Sequence, residues 1–364
     1  MEARDLLFAL HETKGVGWKT IETLFLSVSP FEALCNITSR DLIELGISPA
    51  KAETIVQHLN ESYVKERKKA YRQHGISFMT VFDRNYPERL RHSSEPPWVL
   101  YYKGDVRLLQ QDSIAIVGTR TPTPYGRKVA KELAYALSER EICVVSGMAR
   151  GIDTCAHIGA LEGPGGTVAV LGTGLEKVYP PENARLCKQI AEQGLIVSEY
   201  PLETKVSPGL FPRRNRLIAT ITLGTVVVEA AQRSGSLITA DMALEESRDV
   251  FAVPGPITSP KSSGTLDLIR QGAKMVTGVD DILAEYPERL LHAKRNQGKQ
   301  TETTAPNLSR DERKILSLLS SEPVTFDQLM ELSQFSFGHL HSVLLSLHMK
   351  KQIEPLSGSR YISV

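Results

Sequence analysis

Seven short apolar runs rich in β-branched residues constrain the fold of this chain most strongly. They lie within residues 113–285, begin with Ile114–Val117 and end with Lys274–Val276, and amphipathic segments of helix length separate most of them. Strands that are apolar along their whole length are buried on both faces, which requires a parallel sheet covered by helices on each side. The sequence therefore predicts an α/β fold with a doubly wound parallel sheet.

Helical sequence precedes this region. Residues 1–62 carry apolar side chains at i, i+3 and i+4 spacing, as in Leu6, Leu7 and Leu10, which predicts a small bundle of helices. Residues 63–110 contain a charged helix (YVKERKKAYRQ) and a segment rich in proline and aromatic residues. We assign 63–110 to the sheet domain as its connecting region, so that this domain spans 63–285.

Two further segments follow the sheet domain. Residues 286–308 are polar and lack periodicity, which predicts a linker. Residues 309–364 resume helical spacing, with predicted second and third helices at Thr325–Leu332 and Ser336–His348, and end in a short strand-like stretch. Three helices with a hairpin are typical of a winged-helix domain.

The charge balance excludes one class of protein. The 364 residues contain 43 Lys+Arg and 42 Asp+Glu, a formal net charge of +1. A protein that coats polyanions over its whole surface, like a histone, is thereby excluded, whereas a local basic patch is not.

Compartment and metal content are predicted from what the sequence lacks. No stretch approaches the ~20 apolar residues of a membrane helix, and the N-terminus lacks a secretory signal. The four cysteines are widely spaced, which favours reduced thiols over structural zinc. We expect a cytoplasmic protein with no membrane contact and no bound metal.

Glycine-rich turns after the predicted strands are candidate anion sites. Ligands of an open parallel sheet bind outside the carboxyl ends of its strands, where glycine permits close approach and helix N–H groups bind anions. Arg120 and Arg150 add donors suited to phosphate, although glycine at such turns also serves sterics alone. The candidates are Gly118, Thr119, Arg120, Ser146, Gly147, Arg150, Gly151, Ser234, Gly235, Ser236 and Thr239.

The run FPRRNR is the most basic short segment of the sheet domain. Phe211 beside Arg213, Arg214, Asn215 and Arg216 is suited to stacking on a nucleobase with cations on the neighbouring phosphates. The alternatives are a solvated charged face and a Phe211 side chain that packs in the core at a helix start.

Dinucleotide and NTP sites are disfavoured, and no cofactor is expected. The turns do not follow the GxGxxG pattern with a later ribose-binding acid, and no GxxxxGK[ST] loop occurs.

Asp153 and His157 share a helix face and form either a catalytic dyad or a polar pair that orients the helix. Glu199 and Glu229 follow strands directly and are either catalytic carboxylates or, more often for such acids, acceptors for backbone amides or ribose hydroxyls. We assign no catalytic residue.

Two glycine turns occur in the helical N-terminus. Thr13–Thr20 and Leu45–Lys51 resemble helix-hairpin-helix elements, whose amides contact DNA phosphates. A glycine that joins two helices is also a general structural device.

Seven linked motifs resemble the DprA/Smf family, the DNA-processing protein A family. They occur in the family's order and spacing across the whole sheet domain: AIVGTR (115–120), SGMARGIDTCAH (146–157), AVLGTGLEKVYPPEN (169–183), SEYP (198–201), FPRRNR (211–216), VVVEAAQRSGSLITA (226–240) and FAVPG (251–255). The flanking segments look like the helix-hairpin-helix/SAM-like and winged-helix domains of longer members.

The resemblance implies a fold and a function. It implies an extended Rossmann-like fold that binds single-stranded DNA, forms a homodimer and delivers the strand to the RecA recombinase during natural transformation. It also implies that Gly118, Thr119 and Arg120, together with Phe211 and nearby basic residues, line the strand-binding pocket.

This chain departs from the family's pattern at two positions. Many members carry a lysine three residues before the phenylalanine, where this chain has Pro208 and its nearest lysine is Lys205. Some members also carry a basic residue after the YP dipeptide, where this chain has Pro181 and Glu182. Both departures remove positive charge, and whether Lys205 replaces the family lysine stays open.

Two other functions remain as alternatives to a non-enzymatic DNA-binding protein. The sheet also resembles nucleotide phosphoribohydrolases of the lysine decarboxylase-like family, but SGSLITA stands where their PGGxGTxxE turn would supply a glutamate. A duplex-binding regulator acting through the winged helix is the other alternative. The predicted second and third helices offer few Arg or Lys for reading duplex DNA, which favours protein docking.

Overall fold

The computed structural model describes residues 1–287, 309–319, 324–349, 353–356 and 360–363. Contacts within the chain divide it into two compact units, Met1–Tyr286 and Pro287–Val364. Of the predicted linker 286–308, residues 288–308 lie outside the described residues.

A nine-stranded sheet forms the centre of the first unit, in the order β1-β2-β6-β5-β4-β3-β7-β8-β9. Strands β3 to β9 are mutually parallel. The strands are β1 (Ser77–Thr80), β2 (Val99–Gly104), β3 (Ser113–Val117), β4 (Cys143–Ser146), β5 (Thr167–Leu171), β6 (Leu195–Ser198), β7 (Gly224–Val227), β8 (Asp249–Ala252) and β9 (Lys274–Met275). Every residue of β3 to β7 is buried, as continuous apolar runs require, and the predicted α/β fold is confirmed.

The helices of the first unit begin at side chains suited to helix ends. Thr123 caps α7 by accepting the Gly126 N–H, and Pro124 occupies the first helical position, where its missing N–H costs nothing. None of the helices in the described ranges has the length and apolar character needed to cross a membrane. The helices are α1 (Ala3–Glu12), α2 (Trp18–Ser27), α3 (Ser39–Glu44), α4 (Pro49–His58), α5 (Glu61–Gln73), α6 (Glu88–Arg91), α7 (Pro124–Glu139), α8 (Ile152–Ala160), α9 (Ala184–Gln193), α10 (Leu210–Ile221), α11 (Gly235–Glu245), α12 (Ser263–Arg270) and α13 (Val279–Leu283).

Two antiparallel strands extend one edge of the sheet beyond the parallel strands predicted from sequence. Strand β2 pairs antiparallel with β6, and β1 pairs antiparallel with β2. Both come from 63–110, where the sequence indicated only a charged helix and a proline-rich segment. Strand β1 has only four residues, and prolines directly precede β2, so neither strand gives a recognisable pattern in the sequence.

The N-terminal helices pack on this added edge. Leu6 to Leu10 of α1 are all fully buried, and the Phe8 ring stacks on Phe78 of β1 with centroids 4.2 Å apart. The same apolar cluster includes Trp98, Val99 and Tyr101 at β2. The helices and the sheet edge therefore share one core.

A buried carboxylate joins the helices to the sheet. Glu12 accepts hydrogen bonds from the hydroxyls of Tyr71 (2.6 Å) and Tyr101 (2.5 Å), and Arg67 Nη2 lies 2.6 Å from it. The Tyr71 hydroxyl also accepts the N–H of Leu202, beyond β6. One side chain thus connects α1, α5, β2 and the segment that follows β6.

The second unit contains the helices and sheet of a winged-helix domain, as predicted. Ser309 and Thr325 form capping boxes with Glu312 and Gln328 at the starts of two helices. The described elements are α14 (Arg310–Leu318), α15 (Phe326–Ser333) and α16 (Phe337–Met349), with β10 (Val324–Thr325), β11 (Ile353–Leu356) and β12 (Arg360–Ser363) in the sheet order β10-β12-β11.

The buried network predicts a large loss of stability on replacement of its acceptor. Glu12→Gln removes the charge that Arg67 and both tyrosines bind, and breaking such a buried pair costs about 3 kcal/mol. Urea unfolding should therefore show a reduced free energy of unfolding for Glu12→Gln. The matched variant Glu53→Gln alters an exposed side chain and should unfold like the parent. Equal stability of the two variants would contradict the proposed connection.

Candidate nucleic-acid interface

A cleft of about 430 Å³ lies where the strand order of the sheet reverses. Strand β3 sits between β4 and β7, so the chain leaves it in opposite directions on the two sides, and a crevice opens at the carboxyl ends. We call it the switch-point cleft. Its lining residues are Val117, Gly118, Thr119, Arg120, Ala149, Asp153, Phe211, Pro212, Arg214, Asn215, Ile218, Ala231, Ser234, Gly235, Ser236, Ile238 and Thr239.

Glu229 holds the loop after β3 in place. Its backbone carbonyl accepts the Thr119 N–H (2.7 Å), and its carboxylate accepts both the N–H and the hydroxyl of Thr123 (2.9 and 2.5 Å). A Cβ on Gly126 would lie 2.4 Å from that carboxylate, so glycine is required there. Glu229 therefore binds backbone and hydroxyl groups of the loop, and Arg120 is held exposed at the cleft with no partner among the described residues.

Arg214 places a buried positive charge beside the cleft. It is 5% exposed, and its Nη1 donates to the carbonyls of Gly147 and Val170. Within the described part of the chain no carboxylate lies within ion-pair distance of it, and its Nη2 donates to no residue, although the charge of the buried Asp153 favours the charged arginine from further away. Burial lowers the pKa of Arg214 to about 10, so the group stays charged at neutral pH. A buried cation without an ion-pair partner favours an anion in the cleft.

Phe211 lies at the cleft with its ring positioned by a glycine. A Cβ on Gly172 would lie 2.9 Å from Phe211 Cδ1, so the ring packs directly on the backbone after β5. Tyr179 supports it at a centroid distance of 5.3 Å. The ring is half-buried, which leaves part of it at the cleft surface.

The start of α11 closes the other side of the cleft. Ser234 caps the helix by accepting the Ser236 N–H, and the hydroxyls of these two serines are 2.8 Å apart. No atom lies within 4 Å of the position of a Cβ on Gly235. The first turn is therefore open to a ligand, at the helix end that favours negative charge.

Asp153 and His157 share a helix but are not paired with each other in the described hydrogen-bond network. Asp153 accepts the N–H groups of Gly147 and Ala149 at 3.2 Å each, and burial raises its pKa. The hydroxyl of Thr167 donates to Val144, so His157 Nδ1 donates to Thr167. Within the described residues the two side chains therefore form neither a dyad nor a polar pair with each other; Asp153 attaches the start of α8 to the preceding turn, and His157 attaches the helix to β5.

Several other predicted residues lie outside the cleft lining. Ser146 donates to the Ile116 carbonyl, Gly147 leaves room for Arg214, and Gly151 adopts φ +84° before α8. Arg150 pairs with Glu182 at 2.5 Å, and Arg216 pairs with Glu199. Lys205 and Arg213 line a different cleft, described below.

The structure adds lining residues that we did not single out from the sequence. Ile218 follows Phe211 by seven residues, and Ile238 follows Ser234 by four, so both lie on the faces that line the cleft. Helical spacing from the predicted residues was a signal that could have identified them. Ala149 and Ala231 carry no such signal.

Because Gly147 is closely packed and Gly235 is not, a larger side chain should lower stability at Gly147 only. A Cβ at this position would lie 2.5 Å from Arg214 Nη2, whereas none of the surroundings restricts Gly235. Gly147→Ala should lower the free energy of unfolding by ~1–3 kcal/mol, as overpacking does, and Gly235→Ala should not lower it. Urea unfolding of both variants tests this, and equal losses would rule out a packing origin.

The buried imidazole predicts an acid-sensitive stability. Burial lowers the pKa of His157 to about 3, against an ordinary value of 6.5. The unfolded chain therefore binds more protons between these values, and stability falls as pH drops below 6.5. This histidine should cost about 2 kcal/mol at pH 5. We expect His157→Gln to unfold with a weaker pH dependence than the parent in urea titrations at pH 7 and pH 5. An unchanged dependence would remove His157 as the cause.

Comparison with known proteins finds family models that match both parts of this chain. A family model described as DNA recombination-mediator protein A matches residues 77–287, and one described as DprA winged helix domain matches residues 299–359. The chain is 34% identical to Protein Smf of Synechocystis sp. across 97% of both chains. It is 39% identical to DNA processing protein DprA of Bacillus subtilis across 70% of this chain and 86% of that relative.

Two solved structures are similar to the chain. DNA processing protein A from Streptococcus pneumoniae matches with a TM-score of 0.68 and 34% identity, over 78% of this chain and 99% of that one. DNA processing protein A from Helicobacter pylori, described for its single-stranded DNA binding mode, matches with a TM-score of 0.53 and 29% identity, over 61% and 96%. The family expected from the seven motifs is confirmed: this chain belongs to the DNA recombination-mediator protein A family, DprA/Smf.

Proposed function

We propose that this protein binds single-stranded DNA in the switch-point cleft and acts as a recombination mediator. The observation that carries the proposal is the Arg214 guanidinium, buried beside the cleft without a carboxylate partner in the described structure. A phosphate in the cleft supplies the missing negative charge. Arg120 at the rim and the open first turn of α11 bind the same or the next phosphate.

Base stacking complements these phosphate contacts. The half-buried Phe211 ring, supported by Tyr179, offers a fixed aromatic surface beside the cationic groups. An aromatic surface next to bound phosphates is the usual arrangement for sequence-tolerant binding of single strands. A base can lie flat on the ring only when it is unpaired, so the cleft selects single strands over duplex.

Within the proposed site, the predicted residues divide by role. Those at the cleft surface contact the strand: Gly118, Thr119, Arg120, Phe211, Asn215, Ser234, Gly235, Ser236 and Thr239. Arg214 acts through its charge, and Gly147 makes room for it. Ser146, Arg150, Gly151 and Arg216 keep the surrounding loops in place through their internal contacts.

We assign the protein no catalytic reaction. Each carboxylate that was a candidate from the sequence is engaged internally: Glu229 by Thr123, Glu199 by Arg216, and Asp153 by two backbone N–H groups. None of the three is free to act as a general acid or base on a bound nucleotide. This favours binding over the phosphoribohydrolase alternative.

Family membership supports the wider proposal. A homodimer of this protein would protect incoming single-stranded DNA and help to load RecA during natural transformation. Such a role places it in the cytoplasm, where Cys35, Cys143, Cys155 and Cys187, all free thiols, stay reduced.

Substitution at the cleft should weaken binding of oligo-dT in two distinguishable ways. Phe211→Ala removes a stacking surface and should cost ~1–3 kcal/mol with little change in salt dependence. Arg120→Ala removes a phosphate contact and should lower the slope of log affinity against log salt by about 0.7. Fluorescence anisotropy titration of the full chain at several salt concentrations measures both.

A control variant that removes one positive charge elsewhere tests whether the loss of binding depends on the cleft. Arg140 lies at the C-terminal end of α7, near the amino ends of the strands and away from the cleft, and pairs with Asp280. Arg140→Ala should therefore bind oligo-dT like the parent. If Arg120→Ala and Phe211→Ala also bind like the parent, the switch-point cleft is not the site. Tighter binding of duplex, or release of base from nucleoside monophosphates, would contradict the proposed function itself.

A further inference from the structure

A second cleft, of about 650 Å³, lies between the N-terminal helices and the sheet domain. We call it the helical cleft. It is lined by residues 11–18, from the end of α1 to the start of α2, by Arg67 of α5, by Trp98 before β2, by the segment 199–205 (without Leu202) and by Arg213 at the start of α10. Elements distant in sequence thus meet around one space.

The unpaired charges of the helical cleft are positive. Lys14, Lys205 and Arg213 are exposed and have no ion-pair partner in the described part of the chain. Its three acids are occupied, since Glu12 and Glu203 bind Arg67 and Glu199 binds Arg216. Arg67 neutralises only one of Glu12 and Glu203, so one negative charge offsets part of the three exposed positive charges. The remaining excess is positive and comes from three separate elements, which favours an anionic ligand.

Aromatic side chains in the helical cleft are rigidly held. The Trp18 indole N–H donates to the Pro96 carbonyl (2.8 Å), and the Trp98 indole N–H donates to the Trp18 carbonyl (3.2 Å). Their rings lie 5.7 Å apart. Both indole donors are used internally. Trp98 is only 6% exposed, so the half-buried Trp18 ring is the one that offers apolar surface to a ligand.

The glycine turn of this cleft leaves its backbone accessible. Gly17 has φ −108° and ψ 178°, which any residue adopts, and no atom lies within 4 Å of the position of a Cβ. Internal packing therefore does not require glycine at this position. An alanine there would add bulk only toward the cleft.

The two clefts adjoin across the first turn of α10. Phe211 and Pro212 line the switch-point cleft, whereas the next residue, Arg213, lines the helical cleft. A helix with its side chains is about 10 Å across, so a strand leaving one cleft reaches the other by crossing a single turn.

We propose that the helical cleft binds a further stretch of the single strand held in the switch-point cleft. This inference rests on the proposed function and extends it to the N-terminal helices. Lys14, Lys205 and Arg213 bind its phosphates, and the half-buried Trp18 ring, which packs against Trp98, contacts a base. Exposed cations beside a fixed aromatic ring match a single-stranded nucleic acid better than an acidic peptide, because stacking on the ring needs a planar base.

Oligonucleotides of two lengths test the inference in the full-length protein. Single-strand site sizes run from about 4 to about 16 nucleotides, so oligo-dT of about 6 nucleotides fills a small site and oligo-dT of about 20 exceeds a large one. The double variant Lys14→Ala/Lys205→Ala should bind the longer oligo-dT roughly tenfold more weakly, with a salt slope lower by about 1.4 for two lost phosphate contacts. Its affinity for the short oligo-dT should stay that of the parent.

Two further variants test separately whether the space in the helical cleft and the net charge of the protein affect binding of the longer oligo-dT. Gly17→Ala should fold like the parent, as thermal unfolding would verify, and should weaken binding of the longer oligo-dT only. Lys69→Ala/Lys188→Ala removes the same charge from exposed positions on α5 and α9 and should bind both lengths like the parent. A loss in that control equal to the loss in the Lys14/Lys205 variant would overturn the inference, because the effect would then be one of net charge.

The outcomes distinguish this inference from the proposed function. Under both, Arg120→Ala weakens both lengths, whereas the Lys14/Lys205 variant weakens only the longer one. If Arg120→Ala weakens both and the Lys14/Lys205 variant weakens neither, the helical cleft is not on the path and the proposed function stands. If Arg120→Ala weakens neither while the Lys14/Lys205 variant weakens the longer oligo-dT, the strand does not pass through the switch-point cleft, and both proposals fail.

Discussion

Burial of the parallel strands on both faces is the constraint on which the rest of the structure depends. Every residue of β3 to β7 is buried, so the helices must cover both faces and the chain must turn at the two open ends of the strands. The functional turns collect at the carboxyl end for this reason. Reversal of the strand order at β3 separates two of those turns and leaves the cleft between them.

The cleft shows how internal contacts prepare a surface for an external ligand. Glu229 uses its carboxylate to fix the loop that carries Arg120, and Asp153 uses its own on two backbone N–H groups. Neither forms a direct ion pair with the cations of the cleft within the described structure, so the donors of Arg120 and the Nη2 of buried Arg214 stay available to a ligand, while Asp153 acts on Arg214 only from a distance. A net charge of +1 is therefore compatible with a strongly cationic site, because the acids that balance it are used elsewhere.

Much of the fold and part of the site followed from the sequence. The seven apolar runs correspond to β3 through β9, and helical periodicity identified the helices of both ends. Strands β1 and β2 could not be predicted from the sequence, because β1 is only four residues long and the segment before β2 is rich in proline, so no alternating pattern can be detected. Ten of the predicted binding residues line one cleft, but Arg150 and Arg216 pair with glutamates that are 32 and 17 residues away in sequence.

The sequence by itself determined the succession along the chain of β3 to β9 and the helices between them, the parallel pairing of those strands and the residue types at their carboxyl ends, because burial patterns and turn chemistry are local properties. Only the tertiary structure decided which of those residues are free. Arg213 and Arg214 are neighbours in the chain, yet one is exposed in the helical cleft and the other is buried beside the switch-point cleft. Successive residues of a helix point about 100° apart, so the packing around α10 assigns each arginine its environment.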